Sequence, residues 1–283
     1  MNCISCGKSS LELYSKSSYL NLPVYCCHNC DLYVNGNSEV ELDKALKNVH
    51  EKESKNLRED LEQFVKFDLE NQHSKYLEKL GRSHYTYCKP FFQQSKNILE
   101  IGPGTGITLQ MLEKEGFNVT GIQPTEIFVK YINQKLKNGV CKLGFVEDIP
   151  INEKYDVIWI SHCFEHLVRP DLVLRQCKCL LTKNGFIFIA VPDCENINTL
   201  NDSIHDNASS YHFSKKSLKK LAENVGLTVE KCNSMRELYR IEGRMHIILN
   251  KYFFPINEKI CPYYPFKITA KNGHEIRIIL KMN

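Results

Sequence analysis

The most constraining stretch of this chain is NILEIGPGTG, residues 97–106, where a short apolar run ends in three glycines, Gly102, Gly104 and Gly106. The periodic segment ITLQMLEKEG follows at once. An apolar run of that length bounded by glycine reads as a buried strand, and the spacing after it reads as a helix. Glycines at such a turn let the main chain approach a ligand closely, and the helix N-terminus favours electron-rich groups there. A dinucleotide turn needs its third glycine at position 107, which is Ile107, and no Gly-Lys-Ser/Thr follows as a triphosphate loop requires.

The alternation continues downstream. NVTGI, YDVIWIS and GFIFIAVP read as strands, with helices in FVKYINQKLKNG and from Asp171 to Leu181, the second opened by Pro170 and punctuated by Gly185. A helix is expected from about Ser214 to Asn224, followed by the strand LTVEKC and a terminal EIRIILKM. Strand and helix in alternation imply crossovers, so the expected fold is α/β, a doubly wound, mostly parallel seven-stranded sheet. The stretch DCENINTLNDSIHDNASS is too polar for a core element and is expected to be an active-site loop. An insertion is expected at about 233–274, with Pro255, Pro262 and Pro265 in it.

The first 37 residues differ in kind. Cys3, Cys6, Cys26, Cys27 and Cys30 crowd around short β-like runs, and two CxxC pairs, Cys3/Cys6 and Cys27/Cys30, stand twenty residues apart. Two such knuckles supply four thiolates in tetrahedral reach, the pattern of a zinc ribbon, with Cys26 a bystander and His28 a possible substitute for one thiol. A redox CxxC occurs singly beside a βαβ unit, so a structural Zn2+ is the expectation. A module this small needs a metal or disulfides to fold, which is reason enough for the zinc without a catalytic role. Residues 38–92 carry charge with leucines at helical spacing (Leu42, Leu46, Val49; Leu57, Leu61, Phe64) and read as amphipathic helices that bridge or cover the rest. The expected division is therefore a ribbon at 1–37, a helical linker or lid at 38–92, and the α/β domain at 93–283.

The order of these segments carries a resemblance. From about Asn97 to Cys232 the chain resembles the class I S-adenosylmethionine-dependent methyltransferases, whose first motif has the form (V/I)LE(I/V)GxGxG. The resemblance implies S-adenosyl-L-methionine as cofactor, with Glu100 the acidic residue of the first strand and Gly102, Pro103, Gly104, Thr105 and Gly106 under the methionine. It places GFVEDIP, hence Val146, Glu147 and Asp148, around adenine, and Ser161 and His162 at the reactive end. One departure is Gln123, which stands where the family has Asp or Glu at the ribose. An amide can accept from one hydroxyl and donate to the other, at a loss of about 1 kcal/mol or more for the charge-assisted bond. The ribbon ahead of this core resembles enzymes of polysaccharide and deoxysugar pathways; the deoxysugar C-methyltransferases among them carry a large C-terminal domain that this chain lacks, so the resemblance implies O- rather than C-methylation.

Ligands of doubly wound sheets sit beyond the carboxyl ends of the strands, so the residues after YDVIWIS face the reacting methyl. Methyl transfer to a hydroxyl needs alignment and a base with a pKa near neutrality, a role suited to histidine. His166 is the leading candidate, followed by His162, with Glu165 beside them and His212 after the polar loop. The alternative is that Glu165 and His166 only cap the turn. Cys163 reads as a small core residue. His162, Glu165 and His166, at i, i+3 and i+4, also resemble the metal-binding ExxEH of quinone-pathway O-methyltransferases, with a donor set softer than magnesium prefers.

The 283 residues, 42% hydrophobic and 25% charged, exclude disordered and coiled-coil readings, and no run approaches the length of a membrane helix. Thirteen scattered cysteines and an opening without signal-peptide character make a cytoplasmic, reduced protein the expectation. The net charge of +4 comes from 37 basic against 33 acidic residues with no basic stripe, and the ribbon contributes only Lys8 and Lys16. That disfavours nucleic acid as partner. The sequence thus points to O-methylation of a small polar acceptor, a sugar or sugar nucleotide. An RNA or protein methyltransferase reading its substrate through the ribbon, and a non-catalytic binding protein, are the alternatives.

Overall fold

The computed structural model describes residues 2–49, 72–235 and 273–282. A small antiparallel sheet opens the chain, from β1 (Leu11–Lys16), β2 (Pro23–Cys27) and β3 (Leu32–Asn35), and helix α1 occupies residues 39–49. After helix α2 (Gln72–Cys88) the strand and helix alternation begins with β4 (Asn97–Ile101), α3 (Ile107–Lys114), β5 (Asn118–Gln123), α4 (Glu126–Lys135) and β6 (Val140–Leu143). It continues through β7 (Tyr155–Ser161), α5 (Pro170–Leu180), β8 (Leu181–Pro192), α6 (Ile197–His205), β9 (Tyr211–His212), α7 (Lys215–Asn224), β10 (Leu227–Met235) and β11 (Glu275–Met282). No helix among the described residues is long and apolar enough to cross a membrane.

The large sheet has the seven strands that the sequence leads one to expect, in the order β10-β11-β8-β7-β4-β5-β6. β6, β5, β4, β7 and β8 pair in parallel, and β11 enters antiparallel between β8 and β10. Both faces are covered, which is why the strands read as continuous apolar runs. In β7, Ile158 and Ile160 join the core that contains α5 and α7, while Val157 and Trp159 join the one that contains α2 and α3. The first core runs on without a break into the N-terminal sheet through Cys3, Leu32, Val34, Leu42 and Leu46.

Three local expectations change. Gly185 does not separate helix from strand: β8 already begins at Leu181, which pairs with Tyr155, and Gly185 lies against the Asp156 carbonyl, where a Cβ would come to 2.7 Å. The polar stretch 193–213 is not a bare loop. Asn196 caps α6 through its side chain, and Leu200 and Ile204, one turn apart, are buried beside Val24. Its end forms β9, which pairs Tyr211 with Val34 and His212 with Tyr33, so the N-terminal sheet takes its fourth strand from beyond β8. The expected helix around Leu57, Leu61 and Phe64, and the segment with Pro255, Pro262 and Pro265, lie outside the described residues.

Candidate functional site: the carboxyl edge of the sheet

β4 delivers Glu100 and the glycine turn to the carboxyl edge of the sheet. Gly102 has φ 67°, and a Cβ there would run into Cys163 Sγ, so the loops after β4 and β7 touch only because this residue is glycine. Gly104, at φ 56°, faces open space. Gly106 is pressed on Ile132, and Pro103 is buried against Gly121 while Thr105 is half-buried. Glu100 is 3% exposed, opposite Trp159 in register, and its Oε2 has no partner. Burial pushes its carboxyl up to about 8. Gln123 ends β5 in a buried position. Val146, Glu147 and Asp148 make one 3-10 turn whose Asp148 Oδ2 accepts from the Phe145 N–H at 2.7 Å, leaving the Phe145 ring 61% exposed at the rim.

The turn after β7 carries the histidines. His162 takes a left-handed backbone, φ 49°, held by its N–H on the Ala190 carbonyl at 2.9 Å. Its Nε2 meets Glu275 Oε2 at 2.8 Å and its Nδ1 lies 3.7 Å from Glu165 Oε1. Desolvation would lower its pKa, but the two carboxylates outweigh that and push it up to about 10. His84, 1% exposed, donates from Nε2 to the same Glu275 Oε2 at 3.0 Å and accepts at Nδ1 from Ser161 Oγ at 3.3 Å. Burial drives its pKa down to about 4. Glu275 is held well below the usual carboxylate range: burial opposes ionisation, and Arg277, His84 and His162 override it.

His166 sits on the one-turn helix Phe164–His166, 35% exposed. Its Nδ1–H donates to the Ala208 carbonyl at 3.0 Å, which leaves Nε2 as the acceptor, 3.8 Å from Glu165 Oε1. Glu165 is buried, and its Oε2 has no partner. His212 has a different place. It is 1% exposed, accepting from Asn35 Nδ2 at 3.1 Å and donating from Nδ1 to Ser203 Oγ at 2.7 Å. Both ring nitrogens are spent in the seam between β3 and β9, and burial lowers its pKa to about 3, so nothing remains for a substrate. The spacing that put His162, Glu165 and His166 in one metal set also misleads: the cluster that converges draws on His84, His162 and Glu275.

Cys3, Cys6, Cys27 and Cys30 bring their sulfurs within 4.8 Å of one another. Cys3 and Cys30 approach to 3.4 Å and Cys6 and Cys27 to 3.6 Å, close to the edge of about 3.8 Å that four thiolates make around zinc. Ser10 Oγ stands 2.9 Å from Cys27 Sγ. Cys26 is outside the cluster, and His28 turns outward to Glu12 at 3.0 Å. The donor set is one that zinc fits.

His84, Glu275 and Arg277 escaped the sequence reading. A signal was present: EIRIILKM sets Glu275 and Arg277 at i and i+2, two charges on one face of a strand that is otherwise apolar as far as Leu280.

Comparison with known proteins follows the same edge. Residues 69–231 match the family described as "Methyltransferase domain". An uncharacterized methyltransferase of Alkaliphilus oremlandii is 29% identical over 127 residues, 44% of this chain and 59% of the relative. A ubiquinone biosynthesis O-methyltransferase of Actinobacillus pleuropneumoniae is 30% identical over 105 residues, 34% of this chain and 45% of the relative. The chain thus spans about half the length of these curated relatives. Among solved structures, a SAM-dependent methyltransferase from Archaeoglobus fulgidus shares the fold with a TM-score of 0.55 at 20% identity, over 77% of this chain and 99% of that one. With the glycine turn, the strand order and the match to more than half its length in agreement, this chain belongs to the class I S-adenosylmethionine-dependent methyltransferases.

Proposed function

We propose that the protein transfers a methyl group from S-adenosylmethionine to a hydroxyl of a small polar acceptor, of the sugar or sugar-nucleotide class that the resemblance of its ribbon implies. The observation that carries O-transfer is the state of His166, whose Nδ1–H is fixed on the Ala208 carbonyl so that Nε2 is left as a base at a partly open position. Glu165 Oε1 lies close enough to steady the imidazolium once the acceptor proton has arrived. When bound, the cofactor supplies a methyl on a sulfonium for in-line transfer. Gly102, Pro103, Gly104, Thr105 and Gly106 cradle its methionine end, and the unpartnered Glu100 Oε2 and the open space over Gly104 are what such a guest needs. Gln123 takes the ribose, the Val146–Asp148 turn with the exposed Phe145 ring takes adenine, and Ser161 and His162 border the reacting end. Cys3, Cys6, Cys27 and Cys30 hold a structural zinc.

The test is His166→Gln assayed against a panel of sugars and sugar nucleotides. Turnover should fall by roughly a hundredfold to ten-thousandfold with cofactor affinity by calorimetry unchanged. Turnover within about threefold of the parent across pH 6 to 9 would remove His166 from the chemistry.

A further inference from the structure

At the carboxyl edge, three side chains from three distant elements aim at one point. His84 Nε2 from α2, His162 Nε2 from the turn after β7 and Glu275 Oε2 from the first residue of β11 lie within 4.8 Å of one another. Both imidazole nitrogens stand about a hydrogen bond's length, 3.0 and 2.8 Å, from the same carboxylate oxygen. Around a zinc-sized ion at about 2.1 Å from each donor, such ligand atoms sit about 3.4 Å apart, so each nitrogen would have to part from the carboxylate oxygen by about half an ångström.

The arrangement behind these atoms is more telling. A ligating histidine is usually fixed through its other ring nitrogen, and a ligating carboxylate through its other oxygen. Here the far atoms of His84 and Glu275 have hydrogen-bond partners, and that of His162 faces a carboxylate. His84 Nδ1 lies 3.3 Å from Ser161 Oγ, to which it donates when Nε2 faces a metal, and His162 Nδ1 faces Glu165 Oε1 at 3.7 Å. Glu275 Oε1 is gripped by Arg277 Nε, and Arg277 is itself tied to the Ser83 carbonyl and hydroxyl at 3.2 and 2.9 Å. His162 also keeps a left-handed backbone that a non-glycine residue adopts at a cost. His84 and Glu275 are buried, His84 against the Trp159 and Phe188 rings, whereas the His162 side chain is 38% exposed, so the cluster is closed behind and open in front.

We propose that His84, His162 and Glu275 form a second metal site, separate from the cysteine cluster, for a divalent first-row transition ion of the zinc class. Two imidazoles and one carboxylate are softer than the all-oxygen shells of magnesium or calcium, and three protein ligands leave at least one position open. The open position takes an oxygen of the acceptor, a clause that rests on the O-methyl reading above. The metal site does not depend on it.

The experiment uses the full chain with its cysteine cluster zinc-loaded and titrates Co2+ without cofactor or acceptor, following heat and visible absorption. One Co2+ should bind per chain with ligand-field bands but no thiolate charge-transfer band. Glu275→Gln strands the buried Arg277 and can unfold the chain. The decisive variant is His162→Asn, because asparagine tolerates a left-handed backbone. It should weaken Co2+ binding at least about 100-fold while zinc content and thermal unfolding hold. Absence of Co2+ binding up to millimolar concentration, thiolate bands alone, or unchanged affinity in His162→Asn would overturn the site. Co2+ binding lost in His162→Asn, with no hydroxyl acceptor methylated, would keep the metal site and sink the O-methyl reading.

Discussion

Glu100 and the glycines beside it show how much one residue can decide at this edge. The Glu100 carboxyl titrates at about 8 in the folded chain against an ordinary 4.5. A folded-state pKa above the unfolded one favours folding fully below about 4.5, and that contribution is lost as pH rises toward 8, by up to about 1.4 kcal/mol per unit. Glu100→Gln should therefore flatten the pH dependence of cofactor-free stability between pH 5 and 8, measured by denaturant unfolding, and gain on the parent at the alkaline end. Gly102 and Gly104 both have positive φ, yet they should fail differently. Gly102→Ala meets Cys163 as well as backbone strain and should lose about 2 kcal/mol or more of stability, while Gly104→Ala meets nothing and should lose only about 1. Cofactor titration then separates them, since Gly104→Ala alone should fold nearly normally and bind weakly. The glycine turn could be read from sequence because its spacing is local. The partners of His162 could not, because His84 and Glu275 lie 78 and 113 residues away and only the sheet order joins them.

At the scale of elements, β9 couples the cysteine cluster to the histidine turn. β3 pairs with β9, and the segment just before β9 supplies the Ala208 carbonyl to His166 and the Ser210 N–H and hydroxyl to the Glu165 and His166 carbonyls, at 2.7 and 3.0 Å. Removal of zinc should accordingly do more than loosen the first 37 residues. Cys27→Ser with Cys30→Ser should lose the zinc by metal analysis, and turnover should fall more than tenfold without any change in the residues of the catalytic edge. Retained zinc in that double variant would break the assignment of the four cysteines. The sequence showed the doubled CxxC clearly but gave no hint of β9, because two residues, Tyr211 and His212, are too few for any period to register. The same limit hid α6, whose polar residues outnumber the Leu200 and Ile204 stripe that anchors it.

Across the whole molecule, the core on the ribbon side of the sheet is one continuous body from Cys3 to Leu280, while the opposite core gathers α2, α3 and the Trp159 and Phe188 rings. A ribbon that shares its apolar interior with the sheet melts with it, so chelation should lower the unfolding temperature of the entire chain in a single transition. The seam also has a meaning in the time order of synthesis. The four cysteines are complete once residue 30 has left the ribosome, and zinc can close the cluster then. His212 of the strand that covers the edge of β3 comes 177 residues after Asn35, so a nascent chain carries an uncovered edge through most of its translation. If zinc closes the cluster as proposed, the folded knuckle should hold that edge short and in register until β9 is made.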